Sequence, residues 1–288
     1  MTEPATHALE APGAVLHYDV RSNDASTEPP LLLFGSPMTA AGFATLAGHF
    51  ADRTVVTFDP RGAGRSKRTD DATESPPEEH ADDLHRLITA VAAGPVDMFA
   101  TSGGAVNALV LVASHPEQVR TLVAHEPPVA QVLPDREPVL AACTDIRETY
   151  QRSGFGPAMA KFIALVSVEG PLPADFASRP APDPASFGLP TGDDGSRDDP
   201  LVGLNMPSCP AYQHDFGALR AAPARIVPGV SAEAGTALPG RAALAVAQRL
   251  GTAAVTFPGG HDGFLGGEFG RTGDPEAFAA TLRRVLTG

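Results

Sequence analysis

Val96-Asp97-Met98-Phe99-Ala100-Thr101-Ser102-Gly103-Gly104-Ala105-Val106 is the stretch that decides how this chain is read. Val96 to Ala100 is a short apolar run of the kind that forms a buried strand. Ala105, Val106, Ala108, Leu109, Leu111 and Val112 then recur like a helix packed on most of its surface. Between the two, Ser102 stands in a small-x-Ser-x-small pentapeptide, Ala100 to Gly104. A serine on so sharp a strand-to-helix turn needs hydrogen-sized neighbours, because the backbone there crowds Cβ atoms. In return its Oγ is exposed beside the free N–H groups of the helix start, which can stabilise an anion. This order of residues predicts a nucleophilic serine. An ordinary glycine-rich turn is the competing reading, and the pentapeptide alone does not separate the two.

The surrounding sequence does. Upstream, Leu31-Leu32-Leu33-Phe34 is an apolar strand ending in Gly35-Ser36-Pro37-Met38, and Val55-Val56-Thr57-Phe58 ends in Asp59-Pro60-Arg61-Gly62-Ala63-Gly64-Arg65-Ser66. Downstream, Ala253 to Phe257 ends in Pro258-Gly259-Gly260-His261-Asp262-Gly263. In that order these segments resemble the α/β-hydrolase family: an oxyanion loop, a D-x-R-G-x-G-x-S loop, a nucleophile elbow and a late catalytic histidine. Two departures stand out. The elbow opens with Ala100 rather than the commoner Gly, and Phe34 stands where many members have His. The resemblance implies an α/β fold with a mostly parallel central sheet, helices on both faces and an inserted, mainly helical cap. It also implies that Asp59, Arg61 and Ser66 order the oxyanion loop rather than touch substrate.

His261 follows a strand and so can reach over the sheet edge. An imidazole with a pKa near 6.5 takes a serine proton and returns it at neutral pH; a plain surface histidine is the alternative. Two residues compete for the acid that orients it. Glu233 lies just after the Arg225 to Val230 strand, where most members of the family carry the acid, but the usual Gly and Asp are missing there and Pro228 cannot donate a ladder hydrogen bond. Glu126 follows the strand after the elbow helix, the place used by some haloalkane dehalogenases of this fold, and Pro127 and Pro128 stiffen its turn. Position favours Glu126, with Glu233 as the alternative. The expected oxyanion donors are the backbone N–H groups of Gly103 and Ser36. The Ser36 hydroxyl either touches substrate or stabilises its own turn. Asp262 reads as a solvated turn residue.

Composition bounds the rest. A chain of 288 residues suits one large α/β domain or a core with a small cap. A net charge of −13 argues against nucleic acid and anionic membrane as partners, leaving a small-molecule substrate. The two cysteines, Cys143 and Cys209, have no metal-ligand spacing and read as reduced thiols of a cytoplasmic protein. Met1-Thr2-Glu3-Pro4 lacks the charge and apolar run of a leader. No dinucleotide fingerprint, phosphate loop or H-E-x-x-H helix is present, so no cofactor and no metal are expected.

Strand–helix alternation predicts an early edge strand over Ala14 to Val20 and helices over Met38 to Phe50 and His80 to Ala93. Ser75-Pro76-Pro77-Glu78 reads as a capping box for the second of these. Alternation stops at about residue 131 and resumes at Arg225. Between these points lie helical stretches (Glu137 to Arg152, Gly156 to Val168) and a Pro/Gly/Asp-rich segment, Gly170 to Pro200, too long for an ordinary loop. The division expected is a core of residues 1–130 and 217–288 with a cap of 131–216. The expected activity is a serine hydrolase that cleaves a carboxylic ester, or a related thioester, lactone or amide, through an acyl-enzyme on Ser102. The same triad would also support perhydrolase, acyltransfer or lyase-type chemistry, and the fold could serve a non-catalytic receptor.

Overall fold

The computed structural model describes residues 3–206 and 208–288. Met1 and Thr2, on which the reading of the N-terminus partly rests, lie outside them. Among the described residues the strands are β1 (Ala5–Ala11), β2 (Ala14–Arg21), β3 (Leu31–Ser36), β4 (Val55–Phe58), β5 (Lys67–Arg68), β6 (Val96–Ser102), β7 (Val119–His125), β8 (Arg225–Ser231) and β9 (Val255–Phe257). They form one sheet in the order β1-β2-β4-β3-β6-β7-β8-β9, with β5 beside β2. Every pairing from β4 across to β9 is parallel, and β2 pairs antiparallel with each of its neighbours β1, β4 and β5.

The helices are α1 (Ala44–Gly48), α2 (Pro77–Val91), α3 (Gly103–Ser114), α4 (Arg136–Ser153), α5 (Phe155–Val166), α6 (Ser208–Ala211), α7 (Phe216–Ala221), α8 (Leu238–Leu250) and α9 (Pro275–Thr287). The two-residue period of a strand sends alternate side chains to opposite faces. Leu32 and Phe34 join one core with Leu84 and Leu87 of α2 and Val106 and Leu109 of α3. Leu31 and Leu33 join the other, with Leu46 of α1 and Phe278 and Leu282 of α9. Strands covered on both faces are apolar throughout, which is why they read as continuous runs.

Between β7 and β8 the chain adds no strand to the sheet. It builds α4, α5, short 3₁₀ turns at Phe176–Ser178 and Pro184–Phe187, a π-helical turn at Pro200–Asn205, then α6 and α7. Val139, Ile146, Tyr150, Leu165, Val202 and Met206 form a separate apolar cluster that closes on Leu238 and Ala242 of α8.

Three local expectations change. Ala14–Arg21 is a strand but not the edge: β1 pairs outside it through a tight Pro12-Gly13 turn, with Gly13 at φ +72. Residues 5–8 are exposed, so β1 carried no apolar period to be read. Met38 to Phe50 is a 3₁₀ turn, Ala40–Phe43, followed by the short α1. No capping box forms. Pro76 is the N-cap of α2, and the Ser75 hydroxyl accepts a 2.5 Å hydrogen bond from Arg68 instead. Among the described residues no helix is long and apolar enough to cross a membrane.

Candidate active site

Ser102 ends β6 and immediately precedes α3, at φ 56 and ψ −131. Such a conformation costs a non-glycine residue about 1–3 kcal/mol and persists only where its surroundings impose it. Those surroundings are close. A Cβ on Gly104 would lie 2.8 Å from Gly35 Cα, and one on Gly103 would lie 2.7 Å from the Ser36 carbonyl oxygen. The small residues of the pentapeptide are therefore what let β3 and the start of α3 approach. Ala100 is fully buried in the α2–α3 core, so the extra methyl at the head of the elbow packs without conflict. Phe34 packs on Phe58 with ring centroids 5.4 Å apart, giving the oxyanion loop apolar support.

Asp59 fixes the same loop from the other side. Its Oδ1 accepts from Ala40 N at 2.8 Å, and its Oδ2 accepts from Arg65. Arg61 makes a buried two-point ion pair with Asp83, and the Ser66 hydroxyl bridges Asp59 O to His17 N. Asp59 and Ser66 thus hold backbone in place, whereas Arg61 ties its loop to α2.

His261 stands in the turn after β9, and its Nδ1 is 2.5 Å from Glu126 Oε2. The other carboxylate oxygen of Glu126 accepts from Ser231 N at 2.9 Å. Glu126 follows β7 at φ 47, a second strained non-glycine residue at the same sheet edge, and its side chain is buried. Burial alone would push its pKa up. The hydrogen bond from His261, the nearby positive charge and the bond from Ser231 N together outweigh it and hold the carboxyl at about 2. Burial pulls His261 down, but the bond to Glu126 and its charge win, so His261 sits above its ordinary 6.5. Glu233 makes no hydrogen bond to His261 among the described residues, although it lines the same cavity.

Behind this pair lies a residue that sequence reasoning did not single out. His125 is fully buried, with Nδ1 3.0 Å from the Thr101 hydroxyl and Nε2 3.2 Å from the Ser231 hydroxyl. Burial pushes its pKa to about 3, so it is a neutral imidazole at physiological pH. It ties together the ends of β6, β7 and β8 beside Ser102, Glu126 and the N–H that holds Glu126. His125, Glu126 and His261 bring donor atoms within 4.8 Å of one another, a spacing that alone would suit a metal ion. Both His125 nitrogens and both Glu126 oxygens are already engaged in hydrogen bonds within the fold.

Ser102, Gly103, Ser36, Glu126 and His261 all line one cavity of about 380 Å³. Its walls are mainly apolar, with Phe162, Leu165, Leu201, Met206 and Leu238 supplied by or packed against the segment between β7 and β8. One further feature went unread in the sequence, and two residues read there take on partners or context. Asn205, at the end of the π-helical turn, donates to the Ser36 hydroxyl at 3.0 Å. Asp262 is not a free turn residue but pairs with Arg271 at 2.9 Å. Pro228 lies inside β8, where β9 pairs only from Gly229 onward, so it sits at a point where one side of the strand is open. The signal for Asn205 is absent locally, because it reaches Ser36 from 169 residues away.

A family model described as alpha/beta hydrolase fold matches residues 29–190 of the chain. A Bacillus subtilis (strain 168) protein named uncharacterized hydrolase YraK is 31% identical over 261 residues, 89% of each chain. Among solved structures, a thermophilic esterase from Thermogutta terrifontis superposes with a TM-score of 0.68 at 17% identity, covering 99% of this chain and 98% of that one. An enol-lactonase from Burkholderia xenovorans LB400 superposes with a TM-score of 0.66 at 17% identity, covering 98% and 100%. At those identities the two structures speak to the fold.

Proposed function

This chain belongs to the alpha/beta hydrolase family, and from that premise we propose that it is a serine hydrolase that cleaves a carboxylic ester, or a closely related acyl bond, through an acyl-enzyme on Ser102. The observation that carries the reading is the strained Ser102 at the start of α3, facing the same cavity as a histidine whose far nitrogen is held by a buried carboxylate. Ser102 Oγ attacks the acyl carbonyl while His261 Nε2 takes its proton. The tetrahedral oxyanion rests on the N–H groups of Gly103 and Ser36. His261 then gives the proton to the leaving alkoxide, the C–O bond breaks, and the acyl-enzyme remains. Water, deprotonated by His261, repeats the attack and releases the acid. Glu126 fixes the tautomer and stabilises the imidazolium without taking the proton.

The cavity walls favour an uncharged, apolar acyl group. Glu169 and Glu233 line the cavity, and Arg271, the one arginine or lysine lining it among the described residues, is already paired with Asp262. Residues 131–216 act as the cap that supplies Phe162, Leu165, Val166, Leu201 and Met206 to this wall. Two free thiols, Cys143 and Cys209, fit a reducing, cytoplasmic setting.

Labelling with a fluorophosphonate probe and mapping of the adduct tests the reading. The label is expected on Ser102, with Ser102→Ala unlabelled, correctly folded and slower on a chromogenic ester by about 10⁴-fold or more. An unlabelled wild type, or a Ser102→Ala enzyme within tenfold of wild type, would point to a receptor or to a different nucleophile.

A further inference from the structure

Asn205 is buried and both ends of its amide are engaged, at a place where the segment between β7 and β8 meets the core. Its Oδ1 is 3.1 Å from His80 Nε2 on α2, and its Nδ2 donates to Ser36 Oγ at 3.0 Å. Burial pushes His80 down to about 4, so the ring is neutral and carries a single N–H. With an amide oxygen as its partner, Nε2 must be the protonated nitrogen. That choice orients the amide, and the amide leaves Ser36 with only one option: its oxygen accepts, and its own proton points elsewhere.

Among the described residues that proton has no acceptor, and Ser36 faces the cavity beside Ser102 and Gly103. Ser36 and Ser102 are register partners across β3 and β6. The turn that delivers Asn205 is itself held in place. Asp199 Oδ1 accepts from Leu201 N and Val202 N, and Ser75 N, just before α2, donates to Leu204 O. A π-helical turn is rare and often marks a functional position. Here its outcome is one amide placed between α2 and the oxyanion loop.

We propose that the Ser36 hydroxyl is a third oxyanion donor, aimed into the cavity by Asn205, which neutral His80 orients. The proposal rests on the acyl-enzyme reading above and adds to it a contribution from the β7–β8 segment. Ser36 acts on the developing alkoxide; Asn205 and His80 are positioning residues. The donor matters in the transition state more than in substrate binding, because charge develops on the carbonyl oxygen only there.

The test is a double-mutant cycle on a chromogenic short-chain ester, with kcat and KM measured separately, and with affinity for an alkylboronic acid as a tetrahedral mimic. Ser36→Ala and Asn205→Leu are each expected to lower kcat by about tenfold to a hundredfold, with KM changed by less than about twofold. Boronate affinity should fall by a similar factor, and the double variant should be no slower than the singles. Ser36→Thr, which keeps the hydroxyl, should recover rate relative to Ser36→Ala. Wild-type kcat in Ser36→Ala, or additive losses in the double variant, would overturn the proposal. Ser36→Ala removes a single oxygen and still decides the matter should Asn205→Leu fail to fold. Failure of the acyl-enzyme reading shows instead in the wild type, as no fluorophosphonate on Ser102, and removes this proposal with it.

Discussion

Glu126→Gln replaces one carboxylate oxygen by an NH₂ group and keeps the shape of the side chain. Ser231 N donates to Oε1 at 2.9 Å, which fixes the carbonyl oxygen of the new amide on that side. Its NH₂ then faces His261 Nδ1 at the former 2.5 Å contact, donor against donor. The imidazole relieves the clash by moving its proton to Nε2, the nitrogen that must accept from Ser102. The analogous exchange in a serine protease costs about 10⁴ in kcat, and a loss of that order is expected here.

The same substitution has a pH signature. His261 sits above 6.5 because of Glu126, so the acidic limb of kcat/KM in the wild type should have its midpoint above 6.5. Without the carboxylate the downward pull of burial, the largest influence on His261, is opposed only by the weaker charge of Asp262, and the midpoint of the residual activity should move to lower pH. Stability follows a parallel course. A carboxyl held at about 2 instead of 4.5 favours the folded state by roughly 3 kcal/mol, a contribution present above pH 4.5 and lost as pH falls through about 2. The raised pKa of His261 contributes below pH 6.5 and is lost as pH rises through its folded value. Thermal unfolding against pH should therefore show a wild-type advantage over Glu126→Gln that is largest between about pH 4.5 and 6.5. Activity within tenfold of wild type with an unmoved acidic limb would refute the assignment of Glu126, and loss on Glu233→Gln instead would move the acid to Glu233.

Three other substitutions or probes follow from the packing. Gly103→Ala places a methyl 2.7 Å from Ser36 O and 3.4 Å from Cys209 Sγ, so the oxyanion loop must shift and kcat should drop by at least tenfold; an unchanged kcat would remove Gly103 from the oxyanion site. His125→Phe leaves the buried hydroxyls of Thr101 and Ser231 unpaired, at roughly 1–3 kcal/mol each, and chemical denaturation should show that loss. A stability within 0.5 kcal/mol of wild type, a difference of about twofold in the folding constant, would deny His125 its place as a strand tie. Limited proteolysis should cut first within 170–200, which contains no strand or α-helix, and a bound boronate should slow the cut; first cleavage within α3 or β9 would contradict the core-and-cap division.

What could be read from the sequence was set by how local its cause is. The Ser102 turn is legible because its requirements lie next to one another in the sequence: an apolar strand, a serine and two glycines that admit the approach of Gly35 and Ser36. The parallel strands are legible because burial on both faces leaves no polar alternation to mislead. β1 was not legible, since its outward residues are solvated and it is held by pairing with β2 alone. Nor was the failed capping box, because Arg68, seven residues upstream, claims the Ser75 hydroxyl. The same division runs through the site. Glu126 could be proposed from its place after a strand and before two prolines, but its rank over Glu233 turns on where His261 points, and that depends on a turn more than a hundred residues away.

His125 and Asn205 mark the limit of that kind of reading. Each is an unremarkable polar residue in the sequence, and each matters through partners that only the fold assembles: Thr101 and Ser231 for one, His80 and Ser36 for the other. Both belong to chains of neutral hydrogen bonds in buried surroundings, where an unpaired group is costly and a paired one has little freedom to reorient. The core uses His125 to lock the strand ends under the relay, whereas the β7–β8 segment uses Asn205 to reach the oxyanion loop. A substitution in that segment can therefore alter the rate of the chemical step without touching Ser102, His261 or Glu126. Changes of acyl preference engineered through the Leu165, Leu201 and Met206 wall should accordingly spare kcat only while the Pro200–Asn205 turn keeps its place.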